Sequence, residues 1–181
     1  MTKPGLMQLQ DRYRIALLSA YAIWLHGFES LLPTPIPWLR LGLANIITLI
    51  TLLLYGMRPA VAVTLIRVVV VSLLTGTFLG PAFILSLGGG ILSTVAMGAA
   101  LMVFPRLFGP VGLSIIGALT HNMAQLFLAY FLFIQRIEAI LLISPFILLL
   151  GTVTGAINGI VSGVLIVNLK NAGQKIQNVR E

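Results

Sequence analysis

Residues 59–79 read PAVAVTLIRVVVVSLLTGTFL, and this stretch decides the class of fold. It is almost entirely apolar, and Arg67 is its single charged residue. A helix that crosses a bilayer needs about 20 consecutive, predominantly apolar residues, so the stretch is long enough to span a membrane. It lacks the alternation of apolar and polar residues that is typical of a membrane β-barrel strand. We therefore predict a transmembrane helix.

The rest of the chain has the same character. Of its 181 residues, 59% are hydrophobic and 8% are charged, and the mean hydropathy is +1.07. A soluble domain carries about 25% charged residues, and a soluble fold of this length has too little interior to bury so much apolar surface. The chain is therefore predicted to be an integral membrane protein, with no room for a soluble catalytic domain.

Five further segments have the length and hydropathy of membrane spans, and turns rich in Pro and Gly separate most of them. The six predicted spans are residues 14–32, 39–55, 59–79, 82–104, 111–134 and 139–169. We predict an all-α, polytopic membrane protein. It has a cytoplasmic N-terminal segment (1–13), a six-helix transmembrane domain (14–169) and a short, frayed cytoplasmic tail (170–181).

The basic residues predict the orientation of these spans. If the N-terminus is cytoplasmic, only Arg40 and Arg136 of the eleven Lys and Arg residues lie at the outer ends, and Arg67 lies within a span. This positive-inside bias places both termini in the cytoplasm. We attribute the net charge of +7 to topology and to affinity for anionic lipid rather than to a nucleic-acid partner.

Polar residues inside the spans are the strongest functional signal, because burying them in a bilayer is costly. Arg67 lies close to mid-membrane, and its guanidinium keeps its charge. One interpretation is an ion pair with Glu29, the one acidic residue predicted inside the membrane. A second is that Arg67 faces a hydrated cavity and helps to neutralise an anionic ligand. A third is that it extends to a lipid headgroup.

Two spans are rich in glycine. The last span carries Gly151, Gly155, Gly159 and Gly163, which share one face and allow another helix to approach closely. That helix belongs either to this chain or to a partner. The run Gly88-Gly-Gly90 lacks the Lys-Ser/Thr of a phosphate-binding loop. We predict that it permits a kink or a close backbone approach, or exposes backbone groups in a cavity wall.

The residues predict that the chain is not an enzyme. It has no Cys, two His and one Asp, which argues against thiolate chemistry, a His-based metal site and an Asp-rich magnesium motif. The sequence also shows no arrangement of Ser, His and an acidic residue that is typical of a catalytic triad. We expect no catalytic residue, no metal and no cofactor.

Four motifs occur in order along the spans: RLGLAN (40–45), RVVVVSLL (67–74), SLGGG (86–90) and GALTHNMAQ (117–125). In these motifs the chain resembles a bacterial membrane family labelled both "Gx transporter" and "heptaprenyl diphosphate synthase component I". The resemblance implies the bacterial inner membrane and a fold similar to the six-helix S components of energy-coupling factor (ECF) transporters. Those proteins bind a small metabolite from outside and engage a coupling protein through small residues of their first helices, here Ala16 and Ala20.

We interpret the chain as a membrane substrate-binding or transport component for a small, anionic or amphipathic substrate. Its predicted partners are the lipid bilayer and an ECF-like coupling protein or another membrane subunit. An outward-opening pocket is predicted to be lined by His26, Glu29, Arg40, Asn45, Arg67, His121, Asn122 and Gln125. The two arginines supply positive charge, the amides orient the ligand, and His121 changes charge with pH. The alternative is an accessory subunit of prenyl-diphosphate or quinone metabolism, or of a membrane redox complex.

Overall fold

The structure, a computed structural model, describes residues 4–31 and 42–178, and the side chains of residues 12–31 and 42–171. Six α-helices fill these ranges, and they contain no β-strand. The helices are α1 (Pro4–Leu31), α2 (Leu43–Tyr55), α3 (Met57–Leu74), α4 (Pro81–Val103), α5 (Pro110–Ala129) and α6 (Ile137–Asn178). The predicted all-α class is therefore confirmed.

Pro and Gly mark the helix boundaries for identifiable reasons. Pro81 and Pro110 open α4 and α5, where a missing N–H costs no helical hydrogen bond. Gly56 alone separates α2 from α3, and its φ of 87° is accessible to glycine at little cost. At its end α5 continues into a π-helical turn, Tyr130–Ile134, which stops where Gln135 adopts a left-handed φ of 49°.

Three predicted boundaries are wrong. The first helix begins at Pro4, ten residues before the predicted span. The third helix ends at Leu74, five residues before the predicted end, because the backbone turns at Gly76 and Leu79, where φ is 68° and 60°. Because this turn contains apolar residues, hydropathy did not predict it. The sixth helix continues to Asn178, so the start of the tail is helical instead of frayed. Residues 170–178 are mostly good helix formers, and helix formation does not require an apolar sequence.

The short helix α2 forms the centre of the bundle. It packs against each of the other five helices, and every side chain from Ile46 to Leu52 is buried. A helix that is apolar on all sides is typical of such an enclosed position. Around it, α1 packs on α3, α3 on α4, α4 on α5, and α5 on α6.

The outer surface is apolar and the interior holds charged groups. Leu142 and Leu74 are 82% and 75% exposed, whereas Arg67 and Glu29 are only 6% and 3% exposed. Four helical segments are long and apolar enough to cross a membrane: Met57–Leu74, Pro81–Val103, Pro110–Ile134 and Ile137–Asn171. This distribution suits a lipid environment, in which exposed apolar side chains carry no penalty. The chain is thus a multi-pass membrane protein.

Candidate functional site

A cavity lies between the helices, near the end of the bundle where α1 ends and α2 begins. Its volume open to the centre of a water molecule is about 40 Å³. One water needs roughly 10–15 Å³ on this measure, so the cavity holds a few waters or a small polar group. All six helices contribute to its wall, which consists of His26, Glu29, Gly42, Asn45, Arg67, Val68, Ser86, Ala118, His121, Asn122, Gly151, Thr154 and Asn158.

The structure brings most of the predicted pocket residues to this cavity. Those in its wall are His26, Glu29, Asn45, Arg67, His121 and Asn122. Gln125 is buried one helical turn beyond His121, outside the wall, and its Nε2 has no hydrogen-bond partner in the described part of the chain. Arg40 lies outside the described residues, as does the Pro-rich segment 33–37.

Three polar wall residues were absent from the predicted pocket: Ser86, Thr154 and Asn158. The sequence could have indicated Asn158, because an amide in the middle of an apolar span is costly unless it has partners. Thr154 lies four residues before it, on the same face of α6. Ser86 precedes the glycine run of α4. Single hydroxyls in apolar helices are common, so sequence alone did not distinguish Ser86 and Thr154 from ordinary packing residues.

Gly42 joins three helices at one end of the cavity. Its N–H donates to the carboxylate of Glu29 on α1. Its carbonyl accepts from the side-chain Nδ2 of Asn158 on α6, at 3.2 Å, and from the backbone N–H of Asn45, at 2.8 Å. Gly42 has a left-handed φ of 74°, which a residue with a Cβ rarely adopts. The sequence therefore uses glycine at this junction for its backbone conformation.

The glycine run of α4 lies behind the cavity wall, against wall residues from other helices, and the helix continues through it without interruption. A methyl group on Gly89 would lie 2.9 Å from Cε1 of His121 and 3.1 Å from Cγ of Gln125. On Gly90 it would lie 3.0 Å from Cγ2 of Thr64 and 3.8 Å from Nη2 of Arg67. Of the predicted roles, close approach is therefore the one observed, and it makes room for side chains from both α3 and α5.

Asn122 fixes α5 against α6 beside the cavity. Its Nδ2 donates to the carbonyl of Ile147 at 3.1 Å, and it lies against Gly151, where a Cβ would overlap it. The amide thus contributes to packing as well as to the cavity wall. Its role in orienting a ligand stays a prediction.

A chain of buried hydroxyls supports the helix that carries Arg67. Thr64 Oγ1 lies 3.3 Å from that of Thr48 on α2 and 3.1 Å from that of Thr94 on α4, and Thr94 donates to the carbonyl of Gly90 at 2.8 Å. All three threonines are fully buried. These bonds connect α2, α3 and α4 one turn below Arg67, so they hold the backbone from which its side chain reaches the cavity.

The small-residue faces lie in two different surroundings. The glycine row of α6 packs on α5: a Cβ on Gly159 would lie 2.5 Å from Cα of Val111, and one on Gly155 would lie 3.2 Å from Cα of Ile115. Ala16 and Ala20 are exposed instead, and line a shallow surface groove between α1 and α3. Their role in docking a partner stays a prediction.

Fold and cavity together define the class: a helical, multi-pass membrane protein with a polar internal cavity. The family described as heptaprenyl diphosphate synthase component I matches residues 18–165. The chain therefore belongs to this family, and the resemblance found in its motifs is confirmed. No curated protein and no solved structure gives a match. The resemblance to ECF S components accordingly stays a prediction.

Proposed function

We propose that the chain is a six-span protein of the bacterial inner membrane that binds a small anionic group in the outer half of the bilayer, with both termini in the cytoplasm. As a substrate-binding component it would pass this ligand to, or move it with, a partner subunit. The observation that carries the proposal is the cavity itself, because all six helices place polar or small residues in its wall around Arg67.

The donors in the cavity wall favour an anion over a cation. Arg67 presents up to five N–H donors and a charge that does not titrate. The amide of Asn45 and the hydroxyl of Ser86 add further donors. The amides of Asn122 and Asn158 each donate one N–H to a backbone carbonyl and have a second N–H. Glu29 opposes this charge, and its carboxylate accepts the N–H of Gly42. The positive end of the α2 dipole also lies at Gly42 and contributes a partial positive charge.

The size of the cavity limits what part of a ligand it holds. A space of about 40 Å³ corresponds to a few waters, which suits a carboxylate or a phosphate but not an isoprenoid chain. A prenyl diphosphate or another amphipathic substrate would therefore place only its charged group there, with its apolar chain among the helices or in lipid.

The family description favours a second candidate function. A component I of heptaprenyl diphosphate synthase implies at least one further subunit, and this chain would then be the membrane component while its partner performs the chemistry. In that case the polar residues of the cavity would serve to hold the helices together. Native purification, followed by mass spectrometry of co-purifying proteins and small molecules, separates the candidates. A recovered synthase subunit with no bound small molecule would favour the second.

The six-span topology has a direct test. A reporter that is active only in the cytoplasm should be active when it is fused to the N-terminus and when it is fused to the C-terminus, because the basic residues favour that orientation. A fusion inserted between α3 and α4, after Phe78, should report the outer side. An external C-terminus would overturn the six-span proposal.

The anion preference can be tested without knowing the ligand. Because the chain has no Cys, Asn45→Cys places a single thiol in the cavity wall. After correction for their rates with a free thiol, an anionic methanethiosulfonate reagent should modify it faster than a cationic one. Arg67→Gln should reduce this preference, and Glu29→Gln, which keeps an acceptor for Gly42, should increase it.

The matched control is Ile137→Cys, an exposed residue at the start of α6 that does not line the cavity. Its reagent preference should not change with Arg67→Gln. A cationic preference at position 45, or a preference that ignores both charge substitutions, would contradict an anion-binding cavity. Isothermal titration of the Cys-free protein with phosphate, diphosphate and carboxylates then compares the anions directly.

A further inference from the structure

A second, smaller cavity adjoins the first, between α1, α3 and α4. Its volume open to the centre of a water molecule is about 10 Å³, roughly the space of one water. His26, Val68 and Ser86 belong to the walls of both cavities. These three residues therefore border both spaces.

The wall of the small cavity leads from the surface to the interior. Thr75 is exposed, Thr77 is half-buried, and Ser72, one turn deeper on α3, is buried. His26 and Ser86, at the boundary with the large cavity, are buried as well. This order of exposure is expected for a passage that opens at the turn between α3 and α4.

Hydroxyl groups line the outer part of this passage. Those of Ser72 and Thr75 donate to carbonyls of their own helix, those of Val69 and Val71, at 2.8 and 2.9 Å, and the hydroxyls of Thr75 and Thr77 lie 3.0 Å apart. Because these bonds use the hydroxyl protons of Ser72 and Thr75, the oxygens keep lone pairs that can accept from water. Water can therefore occupy the passage, although the surrounding end of the helix is apolar.

We propose that water and the ligand reach the large cavity through this passage, between the end of α3 and the start of α4, and that His26 and Ser86 form its narrowest point. The inference rests on the proposed binding function. A passage one water wide admits a larger ligand only if the constriction widens. The turn at residues 75–80 lies beside it and includes Gly76 and Leu79 at positive φ.

The test measures access to the constriction in the full chain. Ser86→Cys provides the single thiol, and a water-soluble methanethiosulfonate reagent is added from the outer side. Thr75→Trp should fill the mouth and slow modification by about tenfold or more, which corresponds to about 1.4 kcal/mol added to the barrier. Leu74→Trp is the matched control, since Leu74 is adjacent in sequence, 75% exposed and outside the passage wall.

Unchanged modification in Thr75→Trp, or equal slowing in Leu74→Trp, would overturn the passage. If Thr75→Trp does not fold, as judged by gel filtration in detergent, Thr77→Trp replaces it with the same expected result. A thiol at position 86 that reacts only after denaturation would also overturn the passage. Anion binding is measured separately on the Cys-free chain. If the chain binds an anion but the blocking substitutions do not change the rate of thiol modification, only the passage is refuted.

Discussion

Helix α6 uses glycine in two ways within three turns. At Gly151, beside the cavity, the space left by the missing Cβ is filled by the side chain of Asn122. At Gly155 and Gly159, in the seam with α5, it is filled by backbone atoms and by Cβ atoms, which cannot rotate away. Gly155 meets Cβ of Ala118 at 2.9 Å and Cα of Ile115 at 3.2 Å, and Gly159 meets Cα of Val111 at 2.5 Å. A side chain can rotate away from an added group, whereas a helix backbone can move only as a unit. The seam should therefore tolerate substitution less well than the cavity.

The largest effect is expected in the seam. Gly159→Leu or Gly155→Leu should cost more than about 3 kcal/mol, the upper end of ordinary overpacking penalties, because α5 cannot retreat without disturbing its other contacts. We expect a large loss of folded protein in gel filtration and a lower melting temperature. Gly163→Leu is the control, since a Cβ there meets Pro110 at an ordinary 3.7 Å. Equal yields for Gly159→Leu and Gly163→Leu would show that the seam does not depend on close approach.

The next largest effect is expected at Arg67 and Glu29. Substituting these residues distinguishes a structural role of the cavity from a ligand-binding one. If they form a fully buried pair, removing one partner should cost roughly 3–5 kcal/mol. Arg67→Gln should then lower the melting temperature, and adding Glu29→Gln should partly restore it. If Arg67 serves the ligand, Arg67→Gln should fold but lose anion binding, and Arg67→Lys should retain part of it because the planar guanidinium is lost.

We favour a contribution of both roles, weighted toward the ligand, because the cavity wall holds more polar groups than one ion pair needs. Stability and anion binding are to be measured on both single variants and the double variant. Complete rescue of stability by the double variant, with anion binding the same throughout, would eliminate the binding role of Arg67.

A smaller effect is expected at Gly89, which packs against the cavity-wall residue His121. The three atoms nearest to an added methyl group belong to the side chains of His121 and Gln125. Because these side chains can move, Gly89→Ala should cost about 1 kcal/mol. It should also change the reactivity of a thiol at position 45, because His121 lies in the wall of the same cavity. Gly27→Ala on α1 is the matched control: beyond the backbone of its own helix, no atom of the described residues lies within 4 Å of its Cβ position, and Ala favours the helix. A loss at Gly89 as large as that at Gly159 would contradict the contrast between cavity and seam.

The smallest effect is expected at the junction of α6 with α2. Asn158→Ala removes the donor to the carbonyl of Gly42, but that carbonyl still accepts the N–H of Asn45. The carbonyl of Gly42 therefore keeps a partner, and thermal unfolding should report a loss of about 1 kcal/mol. Asn168→Ala, an exposed residue on the same helix, should have no effect. A loss of stability several times larger would show that Asn158 contributes more to the packing of the helices around the cavity.

Hydropathy was sufficient to predict the helices, because a long apolar run is a local property of the sequence. It failed at residues 75–79, where Phe78 and Leu79 are apolar but the backbone turns, and at residues 170–178, which are polar but helical. In both places, hydropathy and backbone conformation are independent. The number of spans and their orientation, which follow from the same reasoning, await the reporter fusions.

The sequence by itself determined that the chain is an all-α membrane protein and that a few costly polar residues, above all Arg67, lie within its helices. Only the tertiary structure decided that His26, Asn45, Arg67 and Asn122 face one cavity, that Ser86, Thr154 and Asn158 join them, and that Gln125 lies outside the wall. The physical reason is that the rotation of each helix about its axis depends on how neighbouring side chains and glycines interlock. That interlocking involves residues distant in the chain, so neither the hydropathy nor the spacing within one span contains it.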